Sequence, residues 1–103
     1  MIMKTILRYP INNSINKIEL PVGYEVLSAG VAEDQHGNEV ISVWCKVDTN
    51  DDPAYTPQAT EQATFLVFGT GANLDDMVPF EHTFVGTVQK SNRYAFHIFH
   101  VKG

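Results

Sequence analysis

Residues 39–48, EVISVWCKVD, decide the fold class of this 103-residue chain. Apolar residues recur at every second position of this stretch, a period of two that is typical of a β-strand with one buried face. Trp44 lies on the opposite side of such a strand, where it covers a second small core or lies in an interface. The core-facing stripe consists of Ile41, Val43, Cys45 and Val47.

The same period recurs in several other segments, and no stretch of ten or more residues carries a helical stripe. β-branched and aromatic residues dominate these segments, as strands favour. His36-Gly37-Asn38 and Ser91-Asn92 are typical of hairpin turns between them. We therefore predict about seven strands, near residues 3–9, 14–20, 24–32, 39–48, 62–69, 82–90 and 93–101.

Short strands at regular intervals predict an all-β, mainly antiparallel fold for residues 1–103. We expect one domain, either a small sandwich or a partly closed barrel, with at most one short helical turn at Leu74–Val78. The last strand is apolar on both faces, so it is either central in a sheet or covered by a second subunit.

The formal net charge of −5 argues against direct nucleic-acid binding, which needs basic surfaces. No apolar run approaches the roughly 20 residues of a membrane helix. The first eight residues are too short and too interrupted for a signal peptide. The lone cysteine, Cys45, excludes an intrachain disulfide and fits a reducing compartment. These features predict a cytoplasmic protein that does not bind membranes.

Metal and cofactor sites have weak support. His97 and His100 are three residues apart, which places them on opposite faces of a strand rather than around one zinc ion. The spacing from Asp48 to Asp52 opens like a calcium loop, but Pro53 stands where that loop needs glycine. We predict no metal ligands and no cofactor.

Catalytic signatures are also missing. The sequence has no Gly-x-Ser-x-Gly elbow, and the paired carboxylates lie in polar segments rather than shielded ones. A cysteine on an apolar strand face, such as Cys45, is usually inert packing. We therefore expect no catalytic residues and no enzymatic activity.

A Gly-Thr-Gly segment at a strand end, residues 69–71, presents backbone N–H groups to an anion or forms a simple turn. Combined with stacking on the only tryptophan and a shielded histidine, it predicts a site for a nucleotide-like anion. The predicted ligand-binding residues are Trp44, Gly69, Thr70, Gly71, Asn73 and His97.

The long connection 48–62 is acidic and contains no valine, isoleucine or leucine. Connections of this length in compact domains are usually functional or mobile. It is either a solvated acidic loop or a partner-binding segment, with Tyr55 as an exposed aromatic anchor beside Asp51 and Asp52.

Several short segments, in this order and spacing, resemble a family of small uncharacterised proteins that is common in bacteriophages and bacterial genomes. The similarity extends from about Tyr9 to His100, and the chain departs from the pattern in the 48–62 connection and the last four residues. The resemblance implies a phage or prophage setting and no particular chemistry. The segments are residues 18–28, Val43-Trp44, Phe68 to Gly71, Val85 to Val88 and Phe96 to Phe99.

These observations lead to one principal functional hypothesis, a non-enzymatic cytoplasmic binding protein of phage or prophage origin. It would act on a host protein or complex, with a counter-defence role. The alternatives are a protein that binds a small anionic ligand and a virion structural or assembly protein that self-associates as a homo-oligomer.

Overall fold

A computed structural model of the chain describes residues 2–50, 59–75, 81–91 and 93–102. These residues form seven β-strands, each within two residues of its predicted limits. The strands are β1 (Ile2–Pro10), β2 (Ile15–Pro21), β3 (Glu25–Glu33), β4 (Glu39–Asn50), β5 (Thr60–Gly69), β6 (Thr83–Gln89) and β7 (Ala95–Lys102).

The strands form two antiparallel sheets that pack as a sandwich and do not close into a barrel. The first sheet has the order β1-β4-β3, and the second has the order β2-β5-β7-β6. The all-β, antiparallel prediction is thus confirmed, and of the two predicted architectures the sandwich is observed. Of the predicted helical turn at Leu74–Val78, only its first two residues lie within the described part of the chain.

The predicted stripe of β4 forms the centre of the core. Val43 and Cys45 are fully buried, and they cluster with Phe65 of β5 and Ile98 of β7 from the opposite sheet. Each strand contributes every second side chain to this layer, because successive residues of a strand point to opposite faces.

The last strand lies inside its sheet rather than at an edge, which is one of the two arrangements predicted from its two apolar faces. β7 pairs with β5 on one side and β6 on the other. Its inner face carries the fully buried Ile98, and its outer face carries Phe99, which packs edge-to-face against Phe68 and Phe84.

The hairpin turns follow the predicted sequence signals. Gly37 has a φ of +79°, the left-handed conformation that glycine adopts without strain. The Asp34 carboxylate accepts the backbone N–H groups of Asn38 and His36, which lowers the pKa of Asp34. The predicted second hairpin is closed by a bond from the Arg93 N–H to the Lys90 carbonyl, although Asn92 itself lies outside the described residues.

A matched pair of substitutions tests the central position of β7. Ile98→Ala removes a fully buried side chain, so we expect it to lower the free energy of unfolding by about 2–5 kcal/mol. Ile15→Ala removes a side chain that is 60% exposed on edge strand β2, so its effect should stay within about 0.5 kcal/mol. Urea unfolding measures both, and equal costs would contradict the assigned burial.

Candidate functional site

The edges of the two sheets meet along β3 and β6, and we call this line of contact the seam. The strands run side by side, and a Cβ added to Gly86 would lie 3.8 Å from the Ala29 side chain. Each strand has one irregularity at the same end of the seam, around Leu27 in β3 and around Val85 in β6. Such β-bulges bend a strand and redirect its side chains, and they are common beside functional sites.

An open cavity of about 310 Å³ lies at this end of the seam. We call it the seam cleft. Its lining combines apolar side chains of both bulged strands with the polar side chains of a tyrosine, a threonine and a histidine. The lining residues are Tyr24, Val26, Leu27, Thr83, Phe84, Val85 and His100.

The polar end of the seam cleft is a hydrogen-bonded pair, in which the Tyr24 hydroxyl lies 2.6 Å from His100 Nε2. A tight turn holds Tyr24, because its N–H bonds the Pro21 carbonyl and Gly23 has a φ of +89°. The His100 ring packs edge-to-face on Tyr24 and tilts against the buried Phe65. The two polar groups are therefore fixed by the fold before any ligand arrives.

Burial raises the pKa of Tyr24 above its ordinary value of 10.0, and electrostatic repulsion from Glu61 and, to a smaller extent, from the ionised form of Cys45 raises it further. The phenol is therefore uncharged at neutral pH. It acts as a hydrogen-bonding group, since a neutral phenol is a poor nucleophile and a poor base.

The opposite end of the seam is closed by a carboxylate. Glu39, at the start of β4, accepts the hydroxyl of Ser91 and its backbone N–H, the latter at 3.0 Å. These bonds lower the pKa of Glu39. The seam is thus bridged at one end by Glu39 and Ser91 and at the other by Tyr24 and His100.

The predicted ligand residues Thr70 and His97 lie together on the outer face of the second sheet. His97 Nε2 is 3.0 Å from the Thr70 hydroxyl, and its Nδ1 is 2.9 Å from the Thr87 hydroxyl. As predicted, His97 and His100 occupy opposite faces of β7, because only His100 contacts the inner residue Phe65.

The neighbouring glycines form a tight turn. The Ala72 N–H bonds the Gly69 carbonyl, and Gly71 has a φ of +91°. The Asn73 side-chain oxygen accepts the Asp75 N–H. The Gly69 carbonyl and the Asn73 side chain are therefore used in local hydrogen bonds. This agrees with the alternative prediction that residues 69–71 form a simple turn.

Trp44 is on the other side of the molecule from His97. It projects from the outer face of the first sheet, where a Cβ added to Gly30 would lie 3.2 Å from its ring, and Ser42 beside it is fully buried. The structure thus brings Thr70 and His97 together but does not bring Trp44 to them. Asp51, Asp52 and Tyr55, predicted to bind a partner, lie outside the described residues.

The Tyr24–His100 pair was missed by the sequence analysis. Its two members are 76 positions apart in the chain, so spacing alone does not reveal them. Two signals were available. The Pro21-Val22-Gly23-Tyr24 segment is typical of a tight turn, and the three-residue histidine spacing directs His100 to the face opposite His97.

The edge strand β1 is the second unusual surface. Within the described residues, β1 has a hydrogen-bonded neighbour only on its β4 side. It pairs with β4 over nine residues without a register shift. Three of its apolar side chains, Met3, Ile6 and Leu7, are 44–56% exposed.

Among the residues that the structure describes, no group of three or more histidine, cysteine and acidic side chains is placed to hold a metal ion. No helix in the same part of the chain is long and apolar enough to cross a bilayer.

The chain matches the family described as a domain of unknown function (DUF7352) over residues 3–103, and it belongs to that family. The expected membership of an uncharacterised family is thereby confirmed. Neither the curated proteins nor the solved structures gave a match to this chain.

We expect the thiol of Cys45 to be unreactive in the folded protein. Burial raises its pKa to about 11, so at about pH 8 roughly one molecule in a thousand carries the thiolate. We expect a water-soluble disulfide reagent to react at the rate of global unfolding, and to react at once in denaturant. Rapid modification of the native protein would show that the β4 stripe is accessible.

The carboxylate bridge of the seam should make stability depend on pH. Because the folded protein lowers the pKa of Glu39, this group stabilises the fold above its unfolded value near 4.5, and the contribution is lost as the pH falls through the lower folded value. Glu39→Gln should therefore flatten the acid side of the stability curve. The control is Glu81→Gln, which removes an exposed carboxylate outside the seam. Thermal unfolding at a series of pH values measures this effect. If the stability of wild type and of Glu39→Gln falls equally as the pH is lowered, the bridge is excluded.

Proposed function

We propose that this member of the DUF7352 family is a non-enzymatic binding protein that pairs its β1 edge with an extended segment of a partner protein. The observation that carries the proposal is the long, regular and partly apolar edge of β1. An edge strand presents unpaired N–H and C=O groups, which an incoming strand can pair with while pockets between side chains provide specificity.

The contrast between edges supports β1 as the binding edge. Proteins commonly protect their sheet edges by bulges, and β3 and β6 each carry one. β1 and β2 both lack a register shift, but β2 is shorter, with seven residues against nine, and exposes one large apolar side chain, Ile15. β1 exposes three, Met3, Ile6 and Leu7. Free energy favours covering such side chains, because buried apolar surface contributes roughly 25 cal/mol per Å².

Of the two cationic side chains on β1, Lys4 forms an ion pair with Asp48 at 2.9 Å within the first sheet. The Arg8 guanidinium donates to the neutral Ser42 hydroxyl. A partner strand therefore need not supply a carboxylate opposite Lys4. We expect its pairing segment to be extended and apolar at the residues that face Ile6 and Leu7.

The setting that we propose is the cytoplasm of a bacterial host, with a phage or prophage origin and a host protein as the partner. Support for this part comes from the sequence resemblance and the acidic charge of −5, which favours basic surfaces on a partner. A counter-defence role would follow if the partner belongs to a host defence complex.

Capture from a host lysate tests the proposal. We expect wild-type protein to retain a specific host protein, and the double substitution Ile6→Lys with Leu7→Lys to weaken retention at least about tenfold, because it places charges in the buried centre of the contact. The matched control is Val22→Lys with Tyr94→Lys, which places two charges at residues of comparable exposure, 52% and 67% against 56% and 44%, that are not part of β1.

Both parts of the proposal can fail separately in this experiment. A wild-type protein that retains nothing would contradict partner binding. Retention that survives the β1 substitutions and is lost in the control would contradict the β1 edge. Retention of a second copy of this chain alone would favour the self-associating assembly role instead.

A further inference from the structure

We infer that the seam cleft is a binding site for a small molecule that has an apolar body and a hydrogen-bond-donating end, such as an amine or an alcohol. This inference does not rest on partner binding at β1. In the order β1-β4-β3, the seam and β1 lie at opposite edges of the first sheet.

The size and lining of the cleft limit the ligand. Its volume of about 310 Å³ lies at the low end of the roughly 300–1,000 Å³ that ligand sites occupy. The rim exposes two large apolar side chains, Leu27 at 43% and Phe84 at 55%. Contact with a small apolar body would remove part of this apolar surface from water.

The construction of the cleft favours a ligand site over an incidental gap. Both flanking strands shift register at the cleft, around Leu27 and around Val85. Elsewhere along the seam the two strands approach closely, as at Ala29 and Gly86. The fold therefore departs from regular pairing at the place where the cavity opens.

The Tyr24 oxygen sets the polarity of the ligand. A phenol oxygen has two lone pairs and one proton. Its bond to His100 uses the proton in one histidine tautomer and one lone pair in the other. At least one lone pair remains in either case, so a ligand donor finds an acceptor with both tautomers. A ligand acceptor finds the hydroxyl proton only when His100 donates to Tyr24, so the pair favours a ligand that donates.

Electrostatics favours the same class of ligand. The negative charge of Glu61 acts on the Tyr24 hydroxyl strongly enough to raise its pKa, after the larger effect of burial. The chain as a whole carries a formal charge of −5. A carboxylate or phosphate would meet an unfavourable potential here, whereas an ammonium group would meet a favourable one.

Three probes of similar size and different charge test the inference. Phenethylamine, phenethyl alcohol and phenylpropanoate are titrated into the full chain while amide and methyl NMR shifts are recorded. We expect saturable shifts at Leu27, Thr83 and Val85, with the amine bound most tightly and the carboxylate most weakly. The Trp44 indole provides an internal reference, because it projects from the outer face of the first sheet and should not shift.

A tyrosine pair provides the matched control. Tyr24→Phe keeps the ring but removes the acceptor, so we expect amine binding to weaken by about 3- to 10-fold, the equivalent of one hydrogen bond. Tyr9→Phe removes the hydroxyl of another tyrosine whose pKa burial raises, on β1 and outside the cleft, and binding should not change. The native spectrum of each variant establishes that it is folded.

The possible outcomes distinguish failure of the proposed site from failure of the proposed ligand class. Saturable shifts confined to the seam cleft, in the order amine, alcohol, carboxylate, support the inference. No saturable shift with any probe would overturn the site. Carboxylate binding as tight as amine binding, or equal affinities for Tyr24→Phe and wild type, would overturn the assigned ligand class.

Discussion

The architecture depends on the burial of one strand face, the β4 stripe, against residues of the opposite sheet. Phe65 and Ile98 are fully buried with Val43 and Cys45 in a single cluster. Hydrogen bonds then anchor the connection from β1 to β2 to one sheet at each of its ends. The Ile11 N–H bonds the Ile41 carbonyl, and the buried Asn16 amide donates to the Phe65 carbonyl. Apolar burial supplies the driving force, and these polar bonds select one arrangement.

In this arrangement the edge strands of the two sheets have different surroundings. The edges of β3 and β6 face each other, carry bulges and are bridged at both ends of the seam by side-chain hydrogen bonds. β1 faces outward, is regular and is apolar. A seam with a cleft suits a small molecule, whereas an open edge suits another chain. Both proposed binding sites therefore follow from the difference between these edge strands: β3 and β6 are in contact with each other, whereas β1 has a paired neighbour on its β4 side alone among the described residues.

The sequence predicted local structure well, because strand periodicity and turn residues are local signals. The core stripe of β4 was apparent from alternation, and a central position of β7 was one of the two alternatives that its apolar faces allowed. The assignment of strands to sheets is long-range, and it determines which side chains meet. Trp44 and His97 were expected in one ligand site, yet β4 and β7 lie in different sheets and both side chains point outward. Tyr24 and His100 are brought together by the same long-range pairing, so only the fold reveals that pair.

Partner binding at β1 requires that the outer edge of this strand is open. Amide hydrogen exchange along β1 in the isolated protein measures whether it is. An edge strand bonds its neighbour through alternate residues, so half of the N–H groups of β1 point away from β4. We expect alternate amides between Ile2 and Tyr9 to exchange rapidly, while those of β4 and β7 exchange slowly. Uniform slow exchange along β1 would show that its outer edge is already paired, and would contradict the proposed mode of binding.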